Sequence, residues 1–95
     1  MRKARRGSAD LRITVFVEDG AVLGRITEFT ETGAVAVMDA TVPLYDRLEF
    51  TLHVPGGVVS GQVTALSCDG RDYRLQFAAL SDRDRQRLEP WTSPA

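Results

Sequence analysis

Cysteine and histidine each occur once in the 95-residue chain, as Cys68 and His53. A single cysteine excludes an intrachain disulfide and a cysteine-based zinc site. A single histidine excludes a His-rich metal site and every two-histidine motif. No apolar run approaches the ~18 residues that read as a membrane span. The basic start is not followed by the apolar stretch of a secretory signal. A reducing, cytoplasmic location and no membrane insertion are therefore the expectations. The sequence also lacks internal repeats, low-complexity tracts and a glycine-rich phosphate loop. Gly56-Gly57 follows Pro55 and joins two strands instead of opening a helix.

The same scarcity weakens every catalytic reading. A nucleophile activated by histidine has only His53 to draw on, and His53 falls on the polar face of an alternating strand. Cys68 stands beside Asp69, and a neighbouring carboxylate disfavours the reactive thiolate. Carboxylates are frequent, but no spacing singles out a pair for acid–base work. The chain reads as non-enzymatic, with no metal and no cofactor.

Charge almost cancels, at 12 basic and 13 acidic residues, for a net of −1. That balance argues against a partner that is a nucleic-acid polymer. It hides an asymmetry. Arg2, Lys3, Arg5 and Arg6 lie within the first six positions, which leaves 8 basic against 13 acidic residues, or −5, for the rest. A basic tip is attached to an acidic body. All the basic residues but Lys3 are arginine, whose planar fork fits phosphate oxygens and stacks on flat rings. A small barrel binding single-stranded nucleic acid would combine a basic groove with stacking aromatics. Here Phe16, Phe29, Tyr45, Phe50, Tyr73, Phe77 and Trp91 are scattered.

Residues 1–10 read as a flexible basic lead-in, residues 11–80 as a β-barrel, residues 81–91 as a C-terminal helix and residues 92–95 as a tail, one domain overall. Leu11, Ile13, Val15 and Val17 alternate with polar residues, the period of a half-buried strand, with Phe16 on the other face. Asp19-Gly20 signals a hairpin turn. Further strands are expected over 21–29, 34–38, 48–54, 58–66 and 73–77, with a loop over 39–46 that contains Pro43. Pro55-Gly56-Gly57 and Cys68-Asp69-Gly70 supply turns, and Gly61 suggests a bulge or a sharp bend. Ser81 is placed as the N-cap of a helix that Pro90 should stop near Glu89, with Leu88 and Trp91 packing back on the strands. Six short strands joined by tight turns form an antiparallel barrel or sandwich. A closed barrel suits a chain too short for two full sheets. The fold class expected is all-β, a six-stranded antiparallel barrel with a short C-terminal helix.

Two constellations carry chemistry. Arg2 and Arg6 are four residues apart, and two guanidinium groups at that spacing can converge on one anion or on a guanine edge. Glu28, Thr30 and Gly33 lie at the junction of the second strand with its turn. Glu28 and Thr30 are expected on one face. A carboxylate there can accept from guanine N1–H and N2–H, and a hydroxyl can donate or accept. Gly33 permits a tight turn and close backbone approach.

In order and context these segments resemble the PilZ domain family. Arg2-Lys3-Ala4-Arg5-Arg6 matches its RxxxR motif before the first strand. Glu28-Phe29-Thr30-Glu31-Thr32-Gly33 has the shape of its [D/N]xSxxG motif, with Glu for Asp and Thr for Ser. The glycine in the fifth strand, Phe77 in the sixth and the helix after Leu80 extend the resemblance over nearly the whole chain. It implies binding of the bacterial second messenger cyclic di-GMP. Arg2 and Arg6 would clamp the phosphates and guanine edges, while Glu28, Thr30 and Gly33 form the barrel side and Arg5 and Lys3 add charge. It also implies a partner protein or fused effector domain that receives the signal. The alternative is a degenerate member that acts as a protein-interaction adaptor without nucleotide. Glu28 is one methylene longer than the usual aspartate, which moves its carboxylate by ~1.5 Å, one C–C bond.

Overall fold

Period-2 alternation in six segments gives each strand one apolar face, and these faces close around a single interior. The computed structural model describes residues 11–29 and 32–92, apart from the side chains of 90–92. The strands are β1 (Leu11–Val17), β2 (Gly20–Phe29), β3 (Gly33–Met38), β4 (Arg47–Val54), β5 (Gly57–Asp69) and β6 (Asp72–Ala78). One helix, α1 (Asp82–Thr92), follows. All pairings are antiparallel, and the order β1-β2-β3-β6-β5-β4 closes through β4 onto β1. The expected barrel with a short C-terminal helix is the fold observed. Closure leaves no sheet edge to template aggregation.

Ile13, Val15, Ile26, Ala36, Phe50, Leu52, Val59, Val63 and Leu75 fill the interior, and no polar or charged residue among those described is buried there. Phe77 stacks on Phe50 with ring centroids 4.9 Å apart and meets Phe29 at 6.5 Å, tilted by 53°. Such ring pairs contribute about 1 kcal/mol each beyond their buried area. The connection over 39–46 also belongs to the core. Val42 is buried, and its backbone N–H donates to the Tyr73 hydroxyl at 3.1 Å. Leu44 then bridges to Ala65.

Several local features differ from the sequence reading. The first hairpin turns on Glu18-Asp19, because Val17 pairs with Gly20, which opens β2 at φ 147°. Strand β5 runs on through Cys68 and Asp69, and the turn falls at Gly70-Arg71, with Gly70 at φ 67°. Gly61 is not a bulge: it pairs in register with Phe50. Its missing side chain makes room, since a Cβ there would lie 2.9 Å from Leu80 and 3.3 Å from the Phe50 ring. The two register shifts occur at Thr27 and Leu66 instead.

Ser81 caps α1 as expected, its hydroxyl accepting from the Asp84 N–H at 3.1 Å. The helix does not stop at Pro90 but continues to Thr92. Proline loses one backbone donor, yet its fixed φ is itself helical, so a last turn can form around it. Leu88 is buried against the barrel, and Arg87 donates to the Val58 carbonyl at 2.9 Å. The expected packing of Trp91 lies outside the described residues.

The Tyr73 hydroxyl gives a direct test of how the 39–46 connection is held. Tyr73→Phe leaves the buried Val42 N–H without an acceptor and should lower the unfolding free energy by ~1–3 kcal/mol. Urea denaturation with an unchanged midpoint would remove that contact from the account.

Candidate functional site

Glu28 owes its position to the bulge at Thr27. Val22, Gly24 and Ile26 face the interior, so unbroken alternation would send Glu28 inward as well. An unpaired carboxylate in an apolar core costs several kcal/mol. The register instead jumps from Ile26↔Ala36 to Glu28↔Val35, leaving Thr27 as the extra residue. The Thr27 hydroxyl donates to the Val35 carbonyl at 3.2 Å and steadies the bulge. The result is Glu28 outside and Phe29 inside.

Gly33 is required by the packing of β3 on β6. It is buried, and a Cβ at this position would run into the Leu75 carbonyl. The adjoining Thr32 carbonyl accepts from the Phe77 N–H at 3.1 Å. Thr30, like Arg2, Lys3, Arg5 and Arg6, lies outside the described residues, so the expected clamp and the shared face of Glu28 and Thr30 have no described geometry.

The topology brings the relevant chain segments to one rim. The start of β1, the β2–β3 connection, the β4–β5 hairpin and the end of β6 with α1 all share it, because successive strands run antiparallel. Leu11, the first residue of β1, pairs with Ile26, two residues before Glu28. Outward from Glu28, the register continues through Val35 to Arg74 and Ser67. Neighbouring strands lie ~4.8 Å apart, so Arg74 stands about 10 Å from Glu28 across the same outer face.

Beside this row lies a half-open groove of about 540 Å³ on the outside of β1, β2 and β3. Its lining includes Arg12, Thr14, Leu23, Arg25, His53 and Arg71. Arg71 is held by its own donor bond to the Met38 carbonyl at 3.2 Å and by Asp39 at 3.3 Å. His53 is exposed on β4, as its place in the alternation implied. Cys68 is exposed on β5, its thiol donating to the Gly70 carbonyl at 3.1 Å. No group of three or more metal-ligating side chains is present among the described residues, and no helix there is long and apolar enough to cross a membrane.

The outer-face arginines Arg12, Arg25 and Arg74 did not stand out in the sequence, where they read as the polar half of an alternating pattern. Register, and not a local pattern, brings Arg12 and Arg25 together. A loop of Glu18-Asp19 makes every β1–β2 pair sum to the same register, and that register sets Arg12 opposite Arg25.

Glu28 and Gly33 should separate cleanly when substituted. Glu28→Ala removes an exposed side chain and should leave the thermal midpoint within about 4 °C of the parent, because surface changes fall within ~0.5 kcal/mol. Gly33→Ala forces β3 from β6 and should cost about 3 kcal/mol. A Gly33→Ala protein as stable as the parent would show that the strands are not in contact there.

A family model described as PilZ domain matches residues 1–93 of the chain. No curated protein and no solved structure shows a significant match to it.

Proposed function

Because this chain belongs to the PilZ domain family, we propose that it is a non-enzymatic receptor module for cyclic di-GMP. PilZ domains are generally receptor modules for this messenger. The observation that carries the reading is the pairing of Leu11 with Ile26. Leu11, where the lead-in joins β1, lies beside Ile26, two residues from the exposed Glu28 and at the same rim. Five positions separate Arg6 from Leu11, and that length of chain spans at most ~18 Å. The arginines are therefore within reach of a ligand seated on Glu28.

In this reading each part has a chemical task. Arg2 and Arg6 present planar forks to phosphate oxygens and to the guanine O6 and N7 acceptors, with Arg5 and Lys3 adding positive charge. The Glu28 carboxylate accepts from guanine N1–H and N2–H, and the Thr30 hydroxyl supplies a further donor or acceptor. Gly33 contributes backbone alone. A dianionic ligand offsets a basic lead-in that would otherwise repel itself, so binding draws the lead-in onto the barrel. That ordering step is the signal to a partner protein or fused effector domain in the cytoplasm.

Isothermal titration with cyclic di-GMP at tens of micromolar protein is the test. The parent protein should bind, and Arg6→Ala should weaken binding by ~10–100-fold, the loss of a charge-assisted bidentate contact. Glu28→Ala should weaken it by a similar factor without loss of fold. A folded parent protein that gives no heat with cyclic di-GMP would sink the reading and leave a nucleotide-free adaptor.

A further inference from the structure

Closure of the ring reaches only as far as β4 does. Arg47, the first residue of β4, pairs with Thr64, and the Tyr45 N–H donates to the Ala65 carbonyl at 2.8 Å. Strand β5 runs on to Asp69, with Ser67, Cys68 and Asp69 paired to β6 on one side and to no described strand on the other. That open side carries backbone groups. The Arg71 carbonyl accepts from the Met38 N–H at 3.0 Å, so Arg71 and, two residues on, Tyr73 turn their backbone groups toward β3. Cys68 faces Tyr73 across the hairpin. Its own N–H and C=O therefore point away from β6, out of the open edge.

Side chains mark the same place. Half of the large apolar side chains exposed among the described residues, Leu44, Tyr45 and Leu66, gather beside this edge. Leu44 bridges to Ala65, Tyr45 bonds to it, and Leu66 is the extra residue of the bulge that follows. Tyr45 is 71% exposed and holds φ 65°, a left-handed backbone that a bulky side chain rarely adopts. A residue kept at such a position with its ring in solvent points to a use for the ring. The flank is charged in a definite order. Asp69 lies directly opposite Asp72, an unfavourable pair of like charges, and Arg74 stands two residues along the same face.

We propose that the end of β5 is a homodimer edge, to which a second copy of this chain adds its own β5, antiparallel, about a two-fold axis at Cys68. The edge is its own complement, since the N–H and C=O of Cys68 meet those of the partner's Cys68. This register sets Ser67 against the partner's Asp69. The outer face then reads Arg74, Ser67, the partner's Asp69 and the partner's Asp72, so each arginine comes into line with the acid pair of the other copy. Leu66 comes opposite the partner's Gly70, which leaves room for it and for the Tyr45 ring. Two hairpins become one four-stranded sheet. The β4–β5 hairpin and α1, at the other end of the barrel, stay uncovered. The pairing does not depend on which ligand the candidate site takes.

Sedimentation velocity of the full chain, from a few to several hundred micromolar, decides it. The parent should pass from monomer to dimer over that range, and a short bis-maleimide should join the two Cys68 thiols in the dimer. Cys68→Pro removes an N–H that the monomer leaves unused, at an edge position that proline tolerates, and should stay monomeric with its fold intact. Tyr45→Gly relieves the left-handed backbone, so its thermal midpoint at low concentration should be unchanged or raised, yet it should associate ~10-fold more weakly. Arg74→Glu should weaken association by ~5-fold, and mixing it with Asp69→Lys should restore part of the loss. Arg83→Glu on α1 should associate as the parent does. A parent that is monomeric at every concentration overturns the dimer. So does a dimer that Cys68→Pro and Tyr45→Gly both leave intact, since it would use another surface. If Cys68→Pro does not fold, Tyr45→Gly and the Cys68 cross-link decide between those outcomes.

Discussion

A six-stranded barrel has room inside for one layer of side chains and none for an unpaired charge. Each strand must therefore keep its apolar residues on the inner face from end to end. Ile13 and Val15, Leu52 and Val54, and Tyr73 and Leu75 do this by simple alternation. Strand β2 cannot. Its inward series of Val22, Gly24 and Ile26 leads to Glu28, and the next large apolar residue is Phe29. A bulge at Thr27 resolves the conflict by changing the face, so that the aromatic ring enters the core and the carboxylate leaves it. Phe29 then meets Phe77, which stacks on Phe50. The aromatic group near the rim and the exposed acid beside it are two consequences of one inserted residue.

The rim is where the fold and the proposed function meet. Antiparallel order places the start of β1, the β2–β3 connection and α1 at the same end of the barrel. A ligand there touches strands that are paired to each other, so the side chains that flank it are fixed relative to one another before it arrives. That rigidity lowers the ordering cost of binding. Gly33 serves this geometry from below. With no Cβ it lets the start of β3 approach the Leu75 carbonyl of β6. The helix, anchored by Leu88 and by the bond from Arg87 to Val58, occupies another part of the rim.

Much of the architecture was legible in advance because strand periodicity is local. Alternation over Leu11–Val17 and Arg47–Val54 needs only neighbouring residues to be recognised, and Ser81 announces the helix by its own hydroxyl. Pro90 carries a local stop signal that the fold does not obey: it removes a donor but keeps a helical φ, and α1 runs through it. A glycine whose cause lies elsewhere in the fold carries no local sign of it. Gly61 makes room for Leu80 and Phe50, which are distant in sequence, whereas the bulges fall at Thr27 and Leu66, which carry no turn signal. The candidate site followed the same division. The identities of Glu28 and Gly33 were evident, but that Glu28 faces out and that Gly33 is needed by β6 were not.

By itself, the sequence determined the number and type of elements, the apolar face of most strands, the basic lead-in and the pair of short motifs. Each of these is written in residues close together in the chain. The tertiary structure alone decided register. A shift of one residue, from Asp19-Gly20 to Glu18-Asp19 at the centre of the first turn, changes every partner across β1 and β2 and brings Arg12 opposite Arg25. Turn propensity distinguishes those two settings weakly. Both settings keep the same side chains inside, because they differ by two positions and the side-chain period is two, so the choice between them falls to how the paired strands fit around the closed ring.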